Sequence, residues 1–122
     1  MSAYKITIYG KPATKKTSQV IATNRRTKKP FILSHKRTTG WTHEAQRQLR
    51  ERWGCDMFTG PVLVEYAIYR AADRGDLGGF EAAIDDAMQG IVYKNDSQIV
   101  ARRTIKHIDR ENPRVEITVV AA

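Results

Sequence analysis

Six carboxylates, Asp73, Asp76, Glu81, Asp85, Asp86 and Asp96, fall within 24 residues of the chain. Residue types at this density suit a hard divalent cation such as Mg²⁺. That ion takes oxygen ligands and keeps several waters, so two or three carboxylates are enough to hold it. A cation held there can activate a water and neutralise charge on a scissile phosphate. The plainer reading is helix capping and surface acidity, and Asp76 has the type and position of a helix N-terminal residue. Other chemistries fit less well. His35, His43 and His107 are scattered without metal-ligand spacing, and Cys55 stands alone with no nearby base. Gly78-Gly79 lacks the Lys-Ser/Thr that a phosphate-cradling P-loop needs.

The elements that must position these groups can be read from periodicity. Residues 4–9 alternate as a strand, and Gly10-Lys11-Pro12 breaks it. Short strand-like pieces at 19–22 and 31–33 flank a polar, basic stretch at 24–30 that reads as a hairpin loop or mobile arm. Trp41, Ala45, Leu49 and Trp53 recur every four residues, which predicts a helix over 41–53 with the tryptophans on its core face rather than stacking bases. Residues 61–70 are apolar on both faces except at Glu65, which predicts a central strand covered on both sides. A polar, Gly-rich turn is expected over 71–79. Phe80, Ala83, Ile84, Ala87 and Met88 then mark a helix over 80–89. A strand near 98–106 and another over 114–120 complete the chain. This order predicts an α/β (α+β) fold, a mixed β-sheet with two main helices packed on it. Asp76 ends the turn after the central strand and Asp96 precedes the next one. If those strands are neighbours, the two carboxylates are expected to converge at one end of the sheet.

Composition limits the rest. The 122 residues make one domain, spanning 1–122. No run of about 18 apolar residues is present, so no membrane span is expected. The start of the chain enters a strand directly without a secretory pattern, and the single cysteine suits a reducing, cytoplasmic setting. The net charge is +8, which points to a polyanionic partner. It is unevenly spread: residues 1–55 hold 13 Lys and Arg against Glu44 and Glu51, whereas the remainder is net acidic. Lys15, Lys16, Arg25, Arg26, Lys28, Lys29, Lys36 and Arg37 form a basic cluster suited to backbone phosphates. No aromatics are interleaved among them to stack bases.

The stretch from Asp76 to Val100 resembles the RusA family of Holliday junction resolvases. That family carries an Asp-x-Asp-Asn turn, a helix ending Asp-Ala-Leu-x-Gly, and an Asp-Asp-x-Gln-Val/Ile segment. Here these read Asp76-Leu77-Gly78-Gly79, Asp86-Ala87-Met88-Gln89-Gly90 and Asn95-Asp96-Ser97-Gln98-Ile99, with matching spacing. Gly10-Lys11-Pro12 with the Lys15-Lys16 pair, and Glu111-Asn112-Pro113 before the last strand, extend the likeness over nearly the whole chain.

The resemblance implies a compact homodimer, often phage-encoded, that hydrolyses phosphodiesters of four-way DNA junctions with Mg²⁺ (or Mn²⁺), one nick per subunit. A two-fold protein suits a junction that offers two equivalent strands. It assigns catalytic roles to Asp76, Asp96 and Asp86. Two positions depart from the pattern: the turn's second catalytic aspartate falls on Gly78, with its Asn on Gly79, and the helix lysine falls on Ala82. Glu81, three residues from Gly78, is expected to lean over the vacated position, giving Asp76, Glu81 and Asp96 as metal ligands. Arg74 or Lys94 would supply the missing positive charge and further DNA contact. Two rival readings remain: a relative that binds branched DNA without cleaving it, and a basic RNA-binding protein.

Overall fold

The computed structural model describes residues 3–14, 17–23, 26–36 and 39–122, the side chains of 17–23 and 30–39 excepted. Six strands and two helices follow in the order β1 (Ala3–Tyr9), β2 (Thr17–Thr23), β3 (Pro30–Lys36), α1 (Thr39–Arg52), β4 (Val62–Arg70), α2 (Leu77–Met88), β5 (Ile99–Ile108) and β6 (Arg114–Ala121). β2 and β3 pair antiparallel as a separate ribbon, the hairpin whose described loop residues are 26–29. Lys15, Lys16, Arg25 and Arg37 lie outside the described residues, as does the Lys36 side chain. Arg26, Lys28 and Lys29 are exposed on the hairpin loop.

The other four strands form one mixed sheet in the order β1-β6-β4-β5. β6 runs antiparallel to both β1 and β4, while β4 and β5 are parallel. Parallel neighbours need a long crossover, and α2 provides it. The fold class is therefore the mixed sheet with two helices that the alternation predicts.

Both helices pack on one face of the sheet. Ile6 and Ile8 from β1, Val62, Val64, Tyr66 and Ile68 from β4, and Val115, Ile117 and Val119 from β6 point to that side and are buried. Ala45 and Leu49 of α1, with Phe80, Ile84, Ala87 and Met88 of α2, close over them. Trp41 from α1 and Trp53 just after it pack against this core, and the Trp53 ring also meets those of Tyr4 and Phe58 at a tilt. The buried Gln48 fastens α1 to the sheet: it accepts from the Tyr9 N–H at 2.8 Å and donates to the Tyr9 carbonyl at 2.9 Å. These bonds satisfy backbone groups where β1 ends.

β4 is central, as its sequence predicts, but covered on one side only. Leu63, Glu65, Ala67 and Tyr69 face outward, and Leu63 is 40% exposed. No element of this chain packs over that side among the described residues. Among the described residues, no helix is long and apolar enough to cross a membrane.

Candidate functional site

The site begins where β4 ends. α2 starts at Leu77, three residues earlier than the Phe80 stripe predicts, because Asp76 caps it. Its Oδ2 accepts from the Gly79 N–H at 3.1 Å, which satisfies one of the free donors of the first turn. Gly78 and Gly79 are thus helical, not part of a turn. Two glycines make this geometry possible. At Gly75, φ is +93°, and a Cβ would sit 2.5 Å from the Phe80 ring. At Gly79, a Cβ would lie 2.7 Å from Asp76 Oδ1 and 2.8 Å from Thr14 Cβ. The absent side chain lets the segment after β1 close onto the cap.

Cations stand on or against the loop that leads into this exposed carboxylate. Lys106 Nζ, reaching across from β5, donates to the Gly75 carbonyl at 3.3 Å. Lys11 and Arg74 line one hollow with the buried Arg70 and Phe80. Arg70 stiffens the loop, donating to Asp73 at 2.9 Å, to the Arg74 carbonyl at 3.3 Å and to the His107 carbonyl at 3.4 Å. Asp73 is therefore already compensated, whereas the exposed Asp76 caps α2 at the end of this same loop.

The remaining acidic residues line the seam between α2 and β5. Glu81 does not lean over Gly78. It accepts from Thr104 Oγ1 at 2.7 Å and lies 3.9 Å from Arg102. Asp85, one turn on, is buried and receives the Tyr66 hydroxyl at 2.6 Å and the Arg102 guanidinium at 2.9 Å. The Tyr93 hydroxyl donates to its main-chain carbonyl at 2.6 Å. Burial pushes the Asp85 carboxyl above the usual aspartate range, against the opposing pull of Tyr66 and Arg102. Burial, with Asp85 beside them, likewise raises both tyrosines, so they stay protonated donors. Asp86 is half-buried, and its field reaches Tyr93.

Asp96 belongs to the far end. It opens a short 3-10 turn capped by Asn95, whose side chain accepts from the Ser97 N–H at 2.9 Å. Gln98 secures that turn to the segment between α1 and β4 through the carbonyls of Phe58 and Gly60. The exposed Lys94 stands at this end too, away from Arg74.

The expected convergence of Asp76 and Asp96 therefore fails within one chain. β4 and β5 are parallel in register from Val62 beside Ile99 to Arg70 beside Ile108. The end of β4 and the start of β5 lie at opposite ends of the sheet, on the order of 25 Å apart at strand rise. Asp76 follows the first and Asp96 precedes the second. Among the described residues, no three His, Cys, Asp or Glu side chains are grouped to hold a metal. The donor set Asp76, Glu81 and Asp96 does not fit a single Mg²⁺ in one protomer: a full crossover divides the two aspartates, and Thr104 and Arg102 engage the glutamate.

Several residues that matter here are absent from the motif reading. Arg102, Thr104 and Lys106 recur at every second position of β5, all toward α2. That polar period on one strand face was the available signal for the seam and for the cationic end. Thr14 gives no such signal, since only its approach to Gly79 reveals it.

A family model described as Endodeoxyribonuclease RusA matches residues 10–120 of the chain. Comparison with curated proteins gave no match.

Proposed function

The chain belongs to the endodeoxyribonuclease RusA family, whose members are nucleases that resolve Holliday junctions, and on that premise we propose that it binds four-way DNA junctions through the end of the sheet around Asp76 and cleaves them there. One observation carries this reading. Asp76 is an exposed carboxylate that caps α2, directly after Gly75, whose carbonyl Lys106 holds, and two residues after Arg74, which lines a hollow with Lys11, so phosphates drawn by these cations would arrive near it. The exposed Arg26, Lys28 and Lys29 of the hairpin loop would add phosphate contacts. Shape-directed grip through the backbone suits a branched substrate better than base reading. Two copies acting on one junction would place symmetric nicks.

Family members generally depend on a divalent cation, which would polarise the scissile phosphate. In one protomer the carboxylates do not assemble around such an ion, so the residues' own roles are confined to gripping phosphate and presenting Asp76. That same mismatch, with glycine at 78 and alanine at 82, favours a second reading: a relative that binds junctions without cutting them.

A synthetic four-way junction, labelled on each strand in turn and incubated with the protein over a Mg²⁺ and Mn²⁺ series, separates the two. Symmetric nicking lost in Asp76→Asn, with binding kept, supports the endonuclease. Tight, junction-selective gel shifts without nicking at any cation concentration support the binder. A protein with no preference for the junction over linear duplex or over RNA rejects both.

A further inference from the structure

The outer face of the four-stranded sheet carries a ladder of flat side chains that the proposed site leaves unused. His107 on β5, Tyr69 on β4 and Arg114 on β6 stand abreast, because Tyr69 is in register with both. The Tyr69 and His107 rings stack with centroids 4.6 Å apart and planes 16° from parallel. The Arg114 guanidinium lies over the Tyr69 ring from the β6 side, 3.8 Å from its centroid. Neighbouring strands run about 4.8 Å apart, close to stacking distance, so each strand contributes one plane.

The ladder is fixed at one end and open at the other. Arg114 donates to Asp109 and to Glu116 at 3.0 Å each, which sets its plane over Tyr69. His107 stands on β5, the edge strand, and is exposed. Arg70 holds its carbonyl at 3.4 Å, while among the described residues its imidazole enters no hydrogen bond or ion pair.

We propose that an unpaired nucleobase of DNA stacks on the open side of His107, as the fourth plane of this ladder. Cross-strand stacking by itself stabilises a sheet, and the Tyr69 contacts account for that. The outward plane of His107 is left over. Its orientation is already set by Tyr69 and by the main-chain bond to Arg70, so little freedom is lost when a flat group settles on it. Aromatic planes take any base, because every base has a π face. A paired base inside a duplex is covered above and below, so only a base drawn out of the stack can offer its face. The branch point of a junction is where such bases arise.

Placement supports this occupant. Lys106, the residue before His107, reaches to the opposite face and donates to the Gly75 carbonyl, directly before Asp76. Arg70, next to Tyr69, bonds both the His107 and the Arg74 carbonyls. The open plane and the cations of the Asp76 end therefore flank the same stretch of the β5 edge. A DNA strand crossing that edge would give phosphates to Lys106 and Arg74 and a base to His107. Ile105, on the same face of β5 and 42% exposed, offers that base an apolar flank.

The inference rests on the reading that this end of the sheet meets DNA, and not on cleavage. Its test is the affinity of the full chain for a four-way junction in which each nucleotide at the branch point is replaced in turn by an abasic residue. At one position the loss should be roughly tenfold for the wild type. His107→Ala should bind the intact junction roughly tenfold more weakly and lose nothing further at that position. His107→Phe, which keeps a plane but no ring nitrogen, should bind as the wild type does. Val100→Ser, at the far end of the same strand and 60% exposed, should also leave affinity unchanged. Circular dichroism would verify that each variant is folded. Junction-selective binding that His107→Ala leaves intact overturns this inference alone. So does a His107→Phe variant as weak as His107→Ala, which would mean that the ring nitrogens and not the plane make the contact. A protein that ignores junctions yet binds single-stranded oligothymidine in a His107-dependent way rejects the junction reading and leaves this one standing. Binding to neither DNA overturns both.

Discussion

Asp85 and Arg102 meet at 2.9 Å across the seam between α2 and β5, with the Tyr66 hydroxyl completing the carboxylate's shell from beneath. β5 is an edge strand, so this contact does more than decorate the surface: it ties the outermost strand to the helix that precedes it. Removing one partner leaves the other buried and uncompensated, which costs roughly 3–5 kcal/mol when the pair is fully buried. About a third of the Arg102 side chain is exposed, so Arg102→Ala is expected to cost nearer to about 2 kcal/mol. Asp85→Leu combined with Arg102→Leu should recover part of that loss, the remainder reflecting a Tyr66 hydroxyl left without its acceptor. Urea unfolding of the three proteins checks the order; a double variant less stable than Arg102→Ala would contradict it.

The same carboxylate sets a pH signature. Its pKa is raised by burial, so the folded chain holds the proton more tightly than the unfolded one. The stability Asp85 contributes is then greatest below the ordinary aspartate range and is lost as pH climbs through the raised value. Asp85→Asn removes that linkage. Subtracting the wild-type unfolding free energy from that of Asp85→Asn should give a difference that grows from about pH 4 upward and then levels off. A flat or falling difference would show that Arg102 and Tyr66, not burial, dominate.

These features mark how far the sequence could be read. The order of elements and the buried stripes of α1 and α2 follow from periodicity, because one face of each packs on the sheet. The start of α2 does not. Gly78 and Gly79 read as a turn, and only the Asp76 cap with Thr14 against Gly79 shows why they are helical. The separation of Asp76 from Asp96 was within reach, since a connection containing a helix is what parallel neighbours require. The bare second face of β4 was not, because nothing among the described residues covers it. Asp76 was correctly singled out as a capping candidate, whereas the partners of Glu81 and Asp85 depend on which face of β5 meets α2.

Gly75 should be the least replaceable glycine of the site. Its φ of +93° disfavours any side chain, and a Cβ would press on the Phe80 ring at 2.5 Å. Phe80 is a core residue held between sheet and helix, so it has little room to retreat. Gly75→Ala is expected to lose about 2 kcal/mol or more from strain and overpacking together. It should also displace the Asp76 cap, so junction affinity near the Asp76 end should fall with it. Thermal unfolding and a gel shift on one preparation read both effects. A variant as stable as the wild type would mean the loop relaxes freely and Arg70 does not stiffen it.

The two glycines inside α2 are expected to respond in opposite ways. A side chain at Gly78 meets only Asp76 Oδ2, at 3.8 Å, whereas one at Gly79 runs into Asp76 and Thr14 below 3.0 Å. Gly79→Asn should therefore destabilise the fold, because Thr14 Cβ belongs to the backbone's neighbourhood and cannot swing aside. Gly78→Asp should fold normally. It gains roughly 0.5–1 kcal/mol by removing a helical glycine and by placing negative charge in the first turn. It also sets a second carboxylate beside Asp76, at the cationic end where phosphates are proposed to arrive. Two adjacent carboxylates repel until a cation joins them, so Mg²⁺ or Mn²⁺ should bind Gly78→Asp more tightly than wild type by calorimetry, by about tenfold. Junction nicking should rise in step with that binding. Unchanged cation affinity and unchanged nicking would show that the Asp76 end is not where hydrolysis takes place.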